Sequence, residues 1–190
     1  MQAEAARSRG EDSIAVFGSS EARPGEPLYE DARAVGGLLA GAGYRVVTGG
    51  YGGVMEAASR GAAEAGGVAV GVVCGVFADR VPNPYLGEVR DTPELFARTR
   101  ELIEAASGYV VLEGKSGTLA ELAFLWALHR AGSLGRRPVV LLGGRWRPLL
   151  RHLVRARMIE SEQFDVTRVV DTPGEALATL RAYLDGGAEA

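Results

Sequence analysis

The chain is short of most residues that make reactive chemistry conspicuous. It has one cysteine, Cys74, and two histidines, His129 and His152, among 190 residues. A lone cysteine excludes a disulfide framework and a cysteine-based zinc site, so Cys74 reads as a small core residue. Neither histidine stands in a metal-ligand spacing motif. Lysine occurs once, as Lys115, and nothing around it has the pattern of a pyridoxal lysine. Aromatic residues make up 7% of the chain, so the core must pack through aliphatic side chains and close backbone approach. Neither sign of charge dominates: 21 basic and 24 acidic residues give a net charge of −3, which supplies no electrostatic reason to expect nucleic acid. No apolar run approaches the roughly 18 residues of a membrane span. The polar opening MQAEAARSRGED lacks the apolar core of a signal peptide. The expectation is a cytoplasmic protein without metal or cofactor, and without nucleic acid or a membrane as partner.

What is present is glycine, 27 residues of it, and a regular alternation of short apolar runs with helix-period stretches. The length fits one domain, expected over residues 13–184 between a disordered tail at 1–12 and a frayed end at 185–190. Strands are predicted at 13–18, 44–48, 68–73, 109–112, 138–142 and 167–170. Helices are predicted at 28–42, 53–65, 93–106, 118–130, 147–157 and from Thr172 to about Leu184, with 74–91 irregular. Thr92 reads as the N-cap of the third helix, followed by Pro93 and Glu94. Repeated strand–helix alternation implies an α/β, Rossmann-like doubly wound fold: a mostly parallel sheet with helices on both faces. Ligands in such folds sit at the carboxyl ends of the strands, where strand order reverses.

Three small-residue turns fall at such ends. Gly114-Lys115-Ser116 has the tail of a P-loop, but that motif needs a glycine five residues earlier. Counting back reaches Tyr109, and the residues between, Val110 to Glu113, belong largely to a strand. The P-loop is excluded. Gly114-Lys115-Ser116-Gly117-Thr118 instead forms a tight strand-to-helix turn whose backbone N–H groups and helix N-terminus suit a phosphate. A competing reading makes Thr118-Leu-Ala-Glu121 a capping box, with Glu121 folded back on the helix start; Thr172-Pro-Gly-Glu175 has the same pattern. The second turn, Gly49-Gly50-Tyr51-Gly52-Gly53, holds more glycine than a turn requires, which points to close approach of a ligand or of another backbone. The third, Gly18-Ser19-Ser20, offers hydroxyl and amide donors. On the helix at 93–106 the apolar stripe is Leu95, Phe96, Thr99, Leu102, Ile103 and Ala106. Arg98 and Arg100 flank it on opposite sides, and the pattern does not choose which enters the cleft.

Together, Phe17-Gly-Ser-Ser20, Gly49-Gly-Tyr-Gly-Gly-Val-Met55, Gly66-Gly-Val-Ala-Val-Gly71 and Gly117-Thr118-Leu-Ala-Glu121 resemble the LOG ("lonely guy") family, formerly called lysine decarboxylase-like. The resemblance covers roughly residues 13–142. It implies a phosphoribohydrolase that cleaves the N-glycosidic bond of a nucleoside 5′-monophosphate such as AMP. Glu121 and Arg98 would be its catalytic pair. Gly18, Ser19, Gly49, Gly50, Gly52, Gly53, Met55, Gly114, Lys115, Ser116, Gly117 and Thr118 would hold phosphate and nucleotide. A homodimer is implied too, and the apolar circumference of helix 118–130 agrees with burial on two sides. Two positions depart from the family motif P-G-G-x-G-T-x-x-E: its proline is Glu113 here and its second glycine is Lys115. Gly-Gly-Tyr-Gly-Gly-Val-Met-Glu is also similar to a sister branch of molybdenum-cofactor carrier-like proteins. That resemblance implies an alternative, noncatalytic carriage of a phosphorylated, pterin-like ligand.

Overall fold

The computed structural model describes residues 12–77 and 79–185. Seven strands, all parallel, form one sheet in the order β4-β3-β2-β1-β5-β6-β7. They are β1 (Ser13–Phe17), β2 (Arg45–Thr48), β3 (Ala69–Cys74), β4 (Glu88–Thr92), β5 (Gly108–Val111), β6 (Val139–Leu142) and β7 (Thr167–Val170). The helices are α1 (Pro27–Gly41), α2 (Val54–Glu64), α3 (Leu95–Glu104), α4 (Ser116–Arg130), α5 (Trp146–Arg155) and α6 (Pro173–Asp185). β1 lies at the centre; the chain runs outward from it to β4, then returns to place β5 on its other side. That reversal between β1 and β5 is the switch point at which such sheets open a ligand crevice.

Alternate residues of the central strands feed two apolar cores. Ile14, Val16, Val46 and Val110 face α1, α2 and α6. Ala15, Phe17, Val47, Tyr109 and Val111 face α3, α4 and α5. Strands covered on both faces lose the in–out alternation of a half-exposed sheet and read as continuous apolar runs. This is the expected Rossmann-like doubly wound α/β fold with helices on both faces.

Two local expectations are corrected. Residues 74–91 are not wholly irregular, because Glu88–Thr92 pairs with β3 as an edge strand. Its sequence, EVRDT, is hidden by charge. Glu88 pairs with Arg45 and Arg90, and Arg90 with Glu101, the charged composition that edge strands tolerate. Thr92 does not cap α3: it ends β4, its hydroxyl donating to the Val73 carbonyl at 2.7 Å. Glu94 is the cap, accepting from the Phe96 and Ala97 amides. The apolar stripe of α3 is shorter than its sequence suggests, since Leu95 and Phe96 are exposed while Arg98, Leu102 and Ile103 are buried. The tails expected at 1–12 and 185–190 lie, apart from Asp12 and Asp185, outside the described residues. Asp12 is held in place, accepting from the Ser107 hydroxyl and the Arg45 amide. Among the described residues, no helix is long and apolar enough to cross a membrane.

Candidate functional site

A cleft of about 320 Å³ opens across the carboxyl ends of β3, β2, β1 and β5. Its β5 side is the head of α4. That helix starts two residues earlier than predicted, at Ser116, with Lys115 as an N-cap whose side chain makes no capping bond. Its first backbone bond joins the Leu119 amide to the Lys115 carbonyl. The amides of Ser116, Gly117 and Thr118 therefore stand at the helix head without an i−4 partner, the arrangement that attracts anions. Thr118 is the third residue of the helix and caps nothing. The capping-box reading of Glu121 is overturned, because among the described residues its carboxylate has no hydrogen-bond or ion-pair partner. Glu121 is half-buried in the cleft. Loss of hydration pushes its carboxyl up to about 7, against the opposing pull of the Arg98 charge.

Arg98 is the arginine of α3 that enters the cleft; Arg100 is exposed. Only 7% of Arg98 is accessible. Its Nε–H donates to the Val72 carbonyl at 2.8 Å and its Nη2–H to the Gly49 carbonyl at 2.9 Å. The guanidinium lies 5.6 Å from the Tyr51 ring and 5.7 Å from the Phe77 ring. Burial holds its pKa below the ordinary guanidinium range, with Glu121 acting in the other direction. Arg98 and Glu121 thus feel each other's charge without forming an ion pair, leaving room between them.

The Gly49–Gly53 turn is built around this arginine. A methyl on Gly49 would overlap Arg98 Nη2 and the Met55 sulfur. Gly53, at φ 73°, lets the start of α2 press against the Ser19–Ser20 backbone; the Val54 amide donates to the Ser19 carbonyl at 2.9 Å. The Gly50 carbonyl accepts from the Asn83 amide at 2.8 Å, and the Tyr51 carbonyl from Asn83 Nδ2 at 3.2 Å. Gly49, Gly50, Gly52 and Gly53 do not line the cleft wall, and Gly114 lines a neighbouring cleft instead. Gly18, Ser19, Met55, Lys115, Ser116, Gly117 and Thr118 do line it, together with Arg98 and Glu121. The Ser19 amide is committed to the Glu113 carbonyl at 3.0 Å. Its hydroxyl oxygen accepts from the Glu21 amide at 3.1 Å, which leaves the hydroxyl proton to donate.

Both motif departures have local partners. Glu113 turns away from the Arg98–Glu121 cleft, lying against Gly143 and 3.4 Å from Arg145. There it lines a second cleft of about 310 Å³ that shares Ser19 and Lys115 with the first. Lys115 Nζ donates to both Glu21 carboxylate oxygens at 2.7 Å. Its ammonium sits at the rim, so the backbone turn itself stays open.

Sequence reasoning missed Tyr51 as a side chain, Phe77, Arg80 and Glu21, all of which line the cleft. Tyr51 was visible within its glycine cluster. Its hydroxyl bridges the Cys74 backbone, accepting from the amide at 3.0 Å and donating to the carbonyl at 3.2 Å. Phe77 and Arg80 sit in a stretch without periodicity, and only the fold brings them here.

Comparison with known proteins agrees with this architecture. The chain is 33% identical over 139 residues to an uncharacterised protein of Archaeoglobus fulgidus, covering 70% of this chain and 85% of that one. Among solved structures it is similar to the molybdenum cofactor carrier protein of Chlamydomonas reinhardtii, at 25% identity and a TM-score of 0.71 over 93% of this chain and 99% of the other. The molybdenum cofactor binding protein of Rippkaea orientalis shares the fold, at 23% identity and a TM-score of 0.73 over 90% and 96% of the two chains. Residues 11–171 match the SLOG cluster4 family, and with most of its length inside that match the chain belongs to the SLOG cluster4 family.

Proposed function

We propose that the cleft binds a nucleoside 5′-monophosphate and hydrolyses its N-glycosidic bond, releasing free base and ribose 5-phosphate. The observation that carries this reading is the pair Arg98 and Glu121: one buried cation and one unpartnered carboxyl in the same cleft, neither consumed by the other. The 5′-phosphate rests on the amides at the head of α4, with the Ser19 and Thr118 hydroxyls and the Lys115 ammonium beside it. Ribose then lies over Glu121. As the bond from C1′ to the base nitrogen breaks, positive charge grows on the sugar, and the Glu121 carboxylate stabilises it or orients the attacking water. Water supplies hydroxide to C1′ and a proton to the leaving base. Arg98 positions the ribosyl phosphate or offsets negative charge on the departing side. Both roles of Glu121 require the carboxylate, so turnover rises with pH through about 7 and then levels.

A second reading, noncatalytic carriage of a phosphorylated cofactor, draws support from the likeness to the Chlamydomonas carrier and from Glu113 and Lys115 at motif positions. Incubation with AMP and other nucleoside monophosphates, followed by chromatography, separates the two. Free base that disappears with Glu121→Gln supports the hydrolase. Thermal stabilisation by a phosphorylated ligand without any product supports the carrier. We place either activity in the cytoplasm and in a homodimer. The outer face of α4 exposes Leu119, Ala120, Ala123, Phe124 and Ala127, and α3 adds Phe96, an apolar surface suited to a second copy. A monomer by sedimentation at micromolar concentration contradicts that assignment.

A further inference from the structure

Beside Arg98 and the Lys115–Glu21 pair, the cleft holds a further cation, Arg80. Arg98 is buried at its floor and Lys115 sits at its rim, while Arg80 lies at its β3 end. Lys115 is neutralised by Glu21, but among the described residues no carboxylate pairs with Arg80. Its guanidinium lies 5.1 Å from the Phe77 ring and 6.0 Å from the Tyr51 ring. The same two rings carry Arg98. Two cations thus share one aromatic pair within reach of each other's charge. An exposed contact of a cation with a ring is weak, and like charges brought together oppose it. A second anion at this position would relieve that repulsion.

Position makes the same point. β3, where Arg80 follows, and β5, where α4 begins, are separated by β2 and β1 in the sheet. Three strand spacings of about 4.8 Å put these two strand ends on the order of 14 Å apart, and Arg80, although it leans back over the Tyr51 ring, stands across the cleft from the α4 head and not beside it. We infer that Arg80 is a second anion-binding residue of the cleft, so that the ligand carries, besides the phosphate at the head of α4, a separate anionic group seated at the β3 end. The inference rests on the reading that the cleft takes a phosphorylated small molecule. It narrows the ligand class to molecules with two separated anionic groups.

Calorimetric titration of the full chain with adenosine 5′-monophosphate and adenosine 3′,5′-bisphosphate tests it. One additional charge-assisted contact makes the wild type bind the bisphosphate about tenfold more tightly. Arg80→Gln is expected to bring the two affinities within about twofold of each other, while Arg80→Lys, which keeps the charge, retains part of the preference. A wild type without preference, or a preference unchanged in Arg80→Gln, overturns the proposal. The hydrolase reading fails separately: bisphosphate binding that depends on Arg80, with no cleavage of AMP, leaves this inference standing alone. Cleavage of AMP with no role for Arg80 in the preference does the reverse.

Discussion

Two helices of this protein carry the same four-residue pattern in or beside their first turns, and they use it in opposite ways. At α6, Thr172 and Glu175 form a reciprocal box: the Thr172 hydroxyl accepts from the Glu175 amide at 3.2 Å, and the Glu175 carboxylate accepts from the Thr172 and Asp171 amides. At α4, Thr118 and Glu121 do neither, because the helix starts at Ser116 and carries both residues inside its first turns. Glu121 is thereby turned from a cap into a free carboxyl, and the amides at the helix head are left for something else. A box closes a helix end upon itself. Its absence beside a cleft leaves donors, a carboxylate and a positive dipole end facing open space.

Replacing the carboxylates should break the comparison most sharply. Glu121→Gln is expected to lower base release on the order of a thousandfold with AMP affinity nearly retained, whereas Glu175→Gln leaves release unchanged; single-turnover assays with both variants measure this. Next comes Gly49→Ala, whose methyl displaces Arg98. Moving that guanidinium by about an ångström should reduce release about a hundredfold, and circular dichroism should still show a folded protein. A smaller effect separates the two glutamates by pH. Glu121 is protonated in both folded and unfolded chains below about 4.5; between there and about 7 the unfolded chain ionises while the folded one does not, so stability is lost across that window and the loss is complete above it. Glu121→Gln should therefore match the wild type in urea unfolding at pH 4 and exceed it by about 2 kcal/mol at pH 8. A variant that gains nothing at pH 8 would count against a desolvated carboxyl. The smallest effect belongs to the true cap: Thr172→Ala should cost about 1 kcal/mol in the same experiment without altering base release.

Much of the fold was legible because buried parallel strands leave an unmistakable trace. Runs such as Ile14–Phe17 and Val139–Leu142 are apolar at every position, and turn residues separate them from the helices. β4 escaped notice because an edge strand covered by ion pairs has no apolar run to show. Arg98 and Glu121 were singled out by resemblance, and local pattern could not choose Arg98 over Arg100. That choice follows from the rotation of α3 against β3, which a helical wheel does not contain. The excess of glycine at 49–53 was legible as close approach. What approaches Gly49 is the arginine of a helix some fifty positions later, and what approaches Gly53 is the turn after β1.

The sequence by itself determined the alternation of strands and helices, the three small-residue turns and the residue types available to them, since these depend on neighbours a few positions apart. Tertiary structure alone decided that Thr118 and Glu121 form no box, that Glu113 faces away from the cleft, and that Arg80 joins Arg98 on one pair of rings. The last two of those outcomes depend on chain segments that are distant in sequence and adjacent only because the sheet lays neighbouring strand ends side by side. Local pattern carries propensity and spacing. Desolvation, charge coupling and close backbone approach exist only once the strands have been laid side by side.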